Sequence, residues 1–161
     1  MSRLTITLTI NGKEKTFEID PGEKLLEVLR REGYMSVKKG CGTGDCGACA
    51  ILLNGRSVNS CLVFAAKAEG SEILTAEGLA TGEILHPVQT AFLEEGAVQC
   101  GYCTPGMMIS TVDLLTRNPD PTEGEIREAL SGNLCRCTGY VKQVRAVQRA
   151  AELMKDGGAH V

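Results

Sequence analysis

The sequence predicts an α+β chain in which strands come first and helices follow, and two observations support this class. In the first half, apolar residues alternate with polar ones, which is the period of half-buried strands. From about residue 76 the apolar spacing changes to a period near 3.6 residues, and Gly70, Gly78 and Gly82 mark the connection. We therefore place a first domain at residues 1–76 and a second at residues 77–161.

The strands of the first half are predicted from alternation and from two turn sequences. Residues 4–19 predict a hairpin, because apolar residues alternate on both arms and Asn11-Gly12 supplies a two-residue turn. Residues 51–62 predict a second hairpin around Asn54-Gly55. Residues 73–74 are a candidate for one further strand.

The predicted helices follow from apolar periodicity and from capping residues. Thr104 has the position of an N-cap, and Thr122 with Glu125 has the spacing of a capping box. His86 precedes a proline and is predicted to lie at a helix boundary rather than to bind a metal. In chain order the predicted helices span residues 23–32, 87–96, 104–117, 122–132 and 139–155.

Composition and charge exclude several classes of protein. The 161 residues are 43% hydrophobic and 23% charged, as in ordinary globular domains. A net charge of -3 and the absence of Trp argue against a nucleic-acid surface. No apolar run approaches membrane-spanning length, and the N-terminus lacks the apolar stretch of a signal peptide. We therefore expect a cytoplasmic protein without a membrane span, in which clustered cysteines hold metal more often than they form disulfides.

The first four of the eight cysteines have the spacing of a plant-type ferredoxin. They are Cys41, Cys46, Cys49 and Cys61, in the pattern C-x4-C-x2-C with a fourth cysteine after eleven residues. This pattern is typical of a 2Fe-2S cluster, with Cys61 predicted on the return strand of the second hairpin. Zinc is the less favoured alternative, because zinc sites usually pair two short cysteine knuckles and this set has one.

The second four cysteines form one C-x2-C pair and one C-x-C pair. They are Cys100, Cys103, Cys135 and Cys137, and each pair precedes a predicted helix, whose N-terminus favours thiolates. Spacing alone leaves an iron–sulfur cluster and structural zinc open here. A redox dithiol at Cys100 and Cys103 is a third interpretation, but it gives no role to the pair Cys135 and Cys137.

Three segments carry a family resemblance that covers nearly the whole chain. Residues 39–49 (KGCGTGDCGAC), 99–106 (QCGYCTPG) and 132–140 (GNLCRCTGY) resemble the iron–sulfur subunit of molybdenum hydroxylases. That group includes xanthine dehydrogenase, aldehyde oxidoreductase and molybdenum-type carbon monoxide dehydrogenase. The resemblance implies a β-grasp plant-type ferredoxin domain followed by a four-helix bundle, each with one 2Fe-2S cluster.

The resemblance also implies roles for individual residues. The first four cysteines would bind an outer cluster that faces the flavin, and the second four an inner cluster near the molybdenum cofactor. Gln99 would touch the pterin of that cofactor, and Cys137 would lie near the pterin amino group. No catalytic residue is expected on this chain.

The function implied is that of an electron-transfer subunit in a molybdenum-dependent oxidoreductase. Single electrons would pass through the two clusters between molybdopterin on a large subunit and FAD on a medium subunit, in a heterotrimer that is single or dimerised. No substrate-transforming site and no nucleic-acid partner are expected. A noncatalytic metal-binding or redox-sensing module, structural zinc included, is the alternative.

Overall fold

A computed structural model describes residues 3–157; residues 1–2 and 158–161, which the predicted domain limits include, lie outside the described residues. Within it, strands come first and most helices follow, so the α+β class is confirmed. The strands are β1 (Leu4–Ile10), β2 (Lys13–Ile19), β3 (Ala50–Leu53), β4 (Arg56–Asn59) and β5 (Glu72–Leu74). The helices are α1 (Leu25–Arg31), α2 (Pro87–Glu94), α3 (Thr104–Arg117), α4 (Glu123–Leu130) and α5 (Val141–Gly157). Short 3₁₀ turns lie at Ala65–Ala68 and Ala76–Gly78.

The five strands form one mixed sheet in the order β2-β1-β5-β3-β4, with α1 packed across it in the β-grasp arrangement. β1 and β2 pair antiparallel, as do β3 and β4, whereas β5 lies parallel to β1 and antiparallel to β3. Both predicted hairpins are confirmed. Their turns place Asn11 and Asn54 at φ 50° and the following Gly12 and Gly55 at φ 74° and 79°, the left-handed pair that a tight hairpin turn requires.

The structure has two hydrophobic cores, and β3 contributes to both. One core lies between the sheet and α1, and Ile51 is buried in it. The other lies among α2, α3, α4 and α5, and Ala50 and Leu52 join it from the opposite face of β3. This alternation along a strand attaches the helices directly to the sheet. No helix within residues 3–157 is long and apolar enough to cross a membrane.

Two local predictions are wrong. Cys61 does not lie on the return strand, because β4 ends at Asn59. β3 offers only four residues for pairing, so the chain turns after Asn59, and the Leu62 N–H donates to the Asn59 carbonyl at 2.9 Å. Thr104 is not the N-cap of α3 but its first residue, and Cys103 precedes it at the cap.

Candidate metal centres

The first four cysteines come together around the loop between α1 and β3. The Cys41 N–H donates to Cys46 Sγ at 3.4 Å, which closes the loop upon itself. Cys49 and Cys61, only 3% and 4% exposed, lie close to each other, and Cys61 also lies near Cys41. Residues separated by up to twenty positions thus face one another, as the ferredoxin-like spacing predicts.

Hydrogen bonds in this loop favour the negatively charged form of sulfur. Thr43 contributes its hydroxyl and its N–H, the latter 3.4 Å from Cys41 Sγ, and with the Cys46 contacts it lowers the pKa of Cys41 to about 6. The Asn59 amide donates to the Gly44 carbonyl at 2.8 Å and so ties the loop to the end of β4. N–H groups aimed at sulfur are the donors that stabilise a thiolate in a metal centre.

Burial has the opposite effect on the pKa of the buried Cys61 in this site. Loss of solvent, and then the neighbouring Cys49 thiol, raise the pKa of Cys61 to about 11. Thiolates packed this closely repel one another, so a bound cation is needed to hold them deprotonated together. Four sulfur donors with partly prearranged N–H groups therefore fit a thiolate-ligated iron–sulfur centre.

The second four cysteines meet where two loops precede α3 and α5. Cys100 Sγ and Cys137 Sγ lie 3.6 Å apart, and Cys103 lies close to Cys135. Burial, followed by the contact with Cys135, raises the pKa of Cys103 to about 12. Burial also opposes ionisation of Cys135, but hydrogen bonds from Thr138 and from the Cys137 N–H outweigh it and lower the pKa of Cys135. This donor set fits a second thiolate-ligated centre in the same way.

A tyrosine shapes the loop that carries Cys135 and Cys137. Tyr140 has a left-handed backbone with φ 68°, and its hydroxyl accepts a hydrogen bond from the Cys135 N–H at 2.7 Å. The same hydroxyl donates to the Asn133 carbonyl at 3.2 Å. Because one side chain bonds to both ends of the turn, the Cys135 backbone is fixed before any metal binds.

The two cysteine loops touch through hydrogen bonds that we call the loop junction, formed by Lys39, Cys46 and Gly47 on one side and Tyr102, Asn133 and Leu134 on the other. The Leu134 N–H donates to the Cys46 carbonyl at 2.9 Å. The Asn133 amide donates to the Gly47 carbonyl at 3.2 Å, and the Tyr102 hydroxyl to the Lys39 carbonyl at 2.6 Å. Sequence reasoning missed these contacts, because bonds between distant positions, such as Asn133 and Gly47 with a separation of 86, leave no local signal.

Several predicted site residues lie at the surface. Cys41, Cys100 and Cys137 are exposed, and so is Gln99, which directly precedes the second set of cysteines. Across residues 3–157, no three or more His, Cys, Asp or Glu side chains are arranged to hold a single metal ion.

Comparison with known proteins assigns both halves of the chain to iron–sulfur families. The family model described as a 2Fe-2S iron-sulfur cluster binding domain matches residues 8–80. The model described as a [2Fe-2S] binding domain matches residues 75–148. Both halves therefore have relatives that bind this type of cluster.

Similar proteins are known over almost the full length. The nicotinate dehydrogenase small FeS subunit of Eubacterium barkeri is 49% identical over 153 residues, covering 94% of this chain and 98% of that protein. The xanthine dehydrogenase iron-sulfur-binding subunit of Escherichia coli O157:H7 is 50% identical over 146 residues, covering 89% and 92%. A chain of quinoline 2-oxidoreductase from Pseudomonas putida 86 superposes with a TM-score of 0.93 at 42% identity, covering 98% of this chain and 99% of that one.

Proposed function

Because this chain belongs to the family of iron–sulfur subunits of molybdenum hydroxylases, we propose that it relays single electrons between molybdopterin on a large partner subunit and FAD on a medium one. It contains two 2Fe-2S-binding domains, which we divide at residues 76 and 77. The substrate-transforming site belongs to another subunit, and this chain contributes no catalytic residue.

Two sets of four cysteines are the proposed ligands. When bound, 2Fe-2S clusters supply one-electron oxidation and reduction. The protein supplies the thiolates, the N–H groups near sulfur and the burial of the inner ligands. The first set is Cys41, Cys46, Cys49 and Cys61, and the second is Cys100, Cys103, Cys135 and Cys137.

The loop junction is the observation that carries the proposal. Leu134, whose N–H donates to the Cys46 carbonyl, is covalently followed by Cys135. One hydrogen bond and one peptide unit therefore connect a ligand position of the first set with a ligand position of the second. Such close contact supports a relay between two sites, whereas two independent structural metals would not require it.

The exposed parts of each site support partners on both sides. We propose that Gln99 and Cys137 face the pterin on the large subunit, and that the exposed Cys41 side faces the FAD-binding subunit. Leu134 and Tyr102 are 58% and 48% exposed beside the second site, and Leu62 is 55% exposed beside the first. Apolar side chains left at these positions would be buried in a heterotrimer, single or dimerised.

We also propose a cytoplasmic location. All eight cysteines lie within the described residues, and none of them forms a disulfide there. Thiols that must stay reduced to bind iron are best preserved in a reducing compartment.

The test is metal and sulfide analysis together with low-temperature EPR of the dithionite-reduced full chain, purified without air. We expect about four irons and four sulfides per chain and two distinguishable S = 1/2 signals. Cys49→Ser and Cys103→Ser provide matched variants, since each should remove one signal and leave the other. Zinc in place of iron, or half the iron with one signal, would refute the relay.

A further inference from the structure

A buried glutamine lies behind the second set of cysteines. Gln143, on α5, has no exposed surface, and its Nε2 donates to the Thr138 hydroxyl oxygen at 2.6 Å and to the Ala97 carbonyl at 3.1 Å. The Thr138 hydroxyl in turn lies 3.0 Å from Cys135 Sγ. A continuous chain of polar atoms thus leads from the core of the helical part to a sulfur ligand position.

The orientation of the Gln143 amide follows from its partners. The Ala97 carbonyl can only accept a hydrogen bond, so the atom facing it must be the NH₂ group and not the amide oxygen. The opposite atom, Gln143 Oε1, is buried without a hydrogen-bond partner. A buried unpaired acceptor costs free energy, so an apolar side chain at this position would spare the fold that cost. We therefore attribute the presence of a glutamine here to its two N–H donors, which bind Ala97 and Thr138.

The same geometry fixes the direction of the Thr138 hydroxyl. Its oxygen already accepts a hydrogen from Gln143, and a hydroxyl has a single hydrogen of its own to donate. A cysteine that binds metal is a thiolate without a hydrogen, so Thr138 must be the donor to Cys135 Sγ. Gln143 therefore keeps the hydroxyl hydrogen of Thr138 directed toward Cys135 Sγ.

We propose that Gln143 is a positioning residue that raises the reduction potential of the second cluster by holding the Thr138 hydroxyl in the donor orientation toward Cys135. The inference rests on the proposed function, because it needs a cluster at the second set of cysteines. Reduction adds negative charge, and a hydrogen bond to a ligand sulfur stabilises that charge, so its loss lowers the potential.

The experiment is an EPR-monitored redox titration of the cluster-loaded full chain and of the variants Gln143→Leu, Thr138→Val, the corresponding double variant, and Thr138→Ser. We expect Gln143→Leu to make reduction of the second cluster about tenfold less favourable, which is about 59 mV for one electron. Thr138→Val should give a shift of the same sign, and the double variant should add little to it, because both changes remove one hydrogen bond. Thr138→Ser keeps the hydroxyl and should retain the wild-type potential.

A second readout reports the hydrogen bond itself. The second cluster should show coupling to an exchangeable proton by ENDOR, lost in Gln143→Leu and in Thr138→Val but kept in Thr138→Ser. The signal of the first cluster serves as the internal control and should keep its potential in every variant.

The outcomes separate this inference from the proposed function. A wild-type chain without a second S = 1/2 signal would refute the function. Two wild-type signals with an unchanged potential in Gln143→Leu, or fully additive shifts in the double variant, would refute the inference alone. Gln143→Met also removes both donors; loss of the second signal in both Gln143 variants would overturn the inference too, because the residue would then be required for assembly.

Discussion

At the scale of single residues, Gly47 shows why the first cysteine loop needs glycine. Its φ of 67° is a backbone conformation that side-chain-bearing residues adopt only at a cost. A Cβ at this position would also collide with the Gly132 carbonyl oxygen and with the Asn133 side chain. Glycine at position 47 therefore allows both the bend of its own loop and the close approach of the second loop.

We predict that Gly47→Ala destabilises the chain more than Gly55→Ala. Both glycines have positive φ, but a Cβ at Gly55 meets no atom within 4 Å. The backbone alone should cost about 1–2 kcal/mol at either position, and only Gly47→Ala should also force the two loops apart. Urea unfolding followed by far-UV circular dichroism measures the difference, and equal losses would show that the loop junction tolerates a methyl group.

Sequence patterns predicted the two cysteine sets from their spacing. They did not single out Asn133 as a loop-junction donor or Gln143 as part of the hydrogen-bond chain. Spacing reports ligands because a small inorganic core constrains neighbouring positions on one loop. Asn133 and Gln143 act instead through bonds to Gly47 and Ala97, which are 86 and 46 residues away, and only the folded chain brings these partners together.

At the scale of the elements, α2 begins with an unusual cap. His86 Nδ1 accepts a hydrogen bond from the Val88 N–H at 3.1 Å, and the Gln89 side chain accepts one from the His86 N–H at 2.9 Å, which completes a capping box. The predicted position of His86 at a helix boundary is confirmed. Its burial was not predictable from the sequence: Nε2 is enclosed without a partner, and loss of solvent lowers the pKa of His86.

This cap predicts a specific pH dependence of stability. Since the pKa of His86 is lower in the folded chain, the unfolded chain binds the proton first as the pH falls. The contribution of neutral His86 to the free energy of unfolding is therefore fully present above the pKa of histidine in the unfolded chain, about 6.5, and is lost progressively below it. His86→Asn keeps a good N-cap but does not titrate, so the free energy of unfolding should change less between pH 7.5 and 5.5 than in wild type. Equal pH dependence in urea titrations of both chains would contradict this role.

At the scale of the whole molecule, the sequence boundary and the packing boundary differ. The change of period near residue 76 marks where strands give way to helices along the chain. The helical core nevertheless includes Ala50 and Leu52 from β3, so the sheet provides one wall of the helical part. The continuous apolar run of β3, Ala50–Leu53, is typical of a strand buried on both faces, but it does not show which element covers each face. The loop junction and this shared strand join the two sites into one structural unit.

The shared strand predicts that neighbouring substitutions loosen different cores. Leu52→Ala opens a cavity between β3 and the helices, whereas Ile51→Ala opens one between the sheet and α1. Each should cost about 2–5 kcal/mol, a typical loss for such truncations in a core. Hydrogen exchange followed by mass spectrometry should show faster exchange in α3 for Leu52→Ala and in α1 for Ile51→Ala. If both variants instead loosened only the sheet and α1, the helical part would be stable without its β3 wall, and contacts outside β3, such as the loop junction and the Arg56–Asp113 ion pair at 3.4 Å, would hold the two sites together.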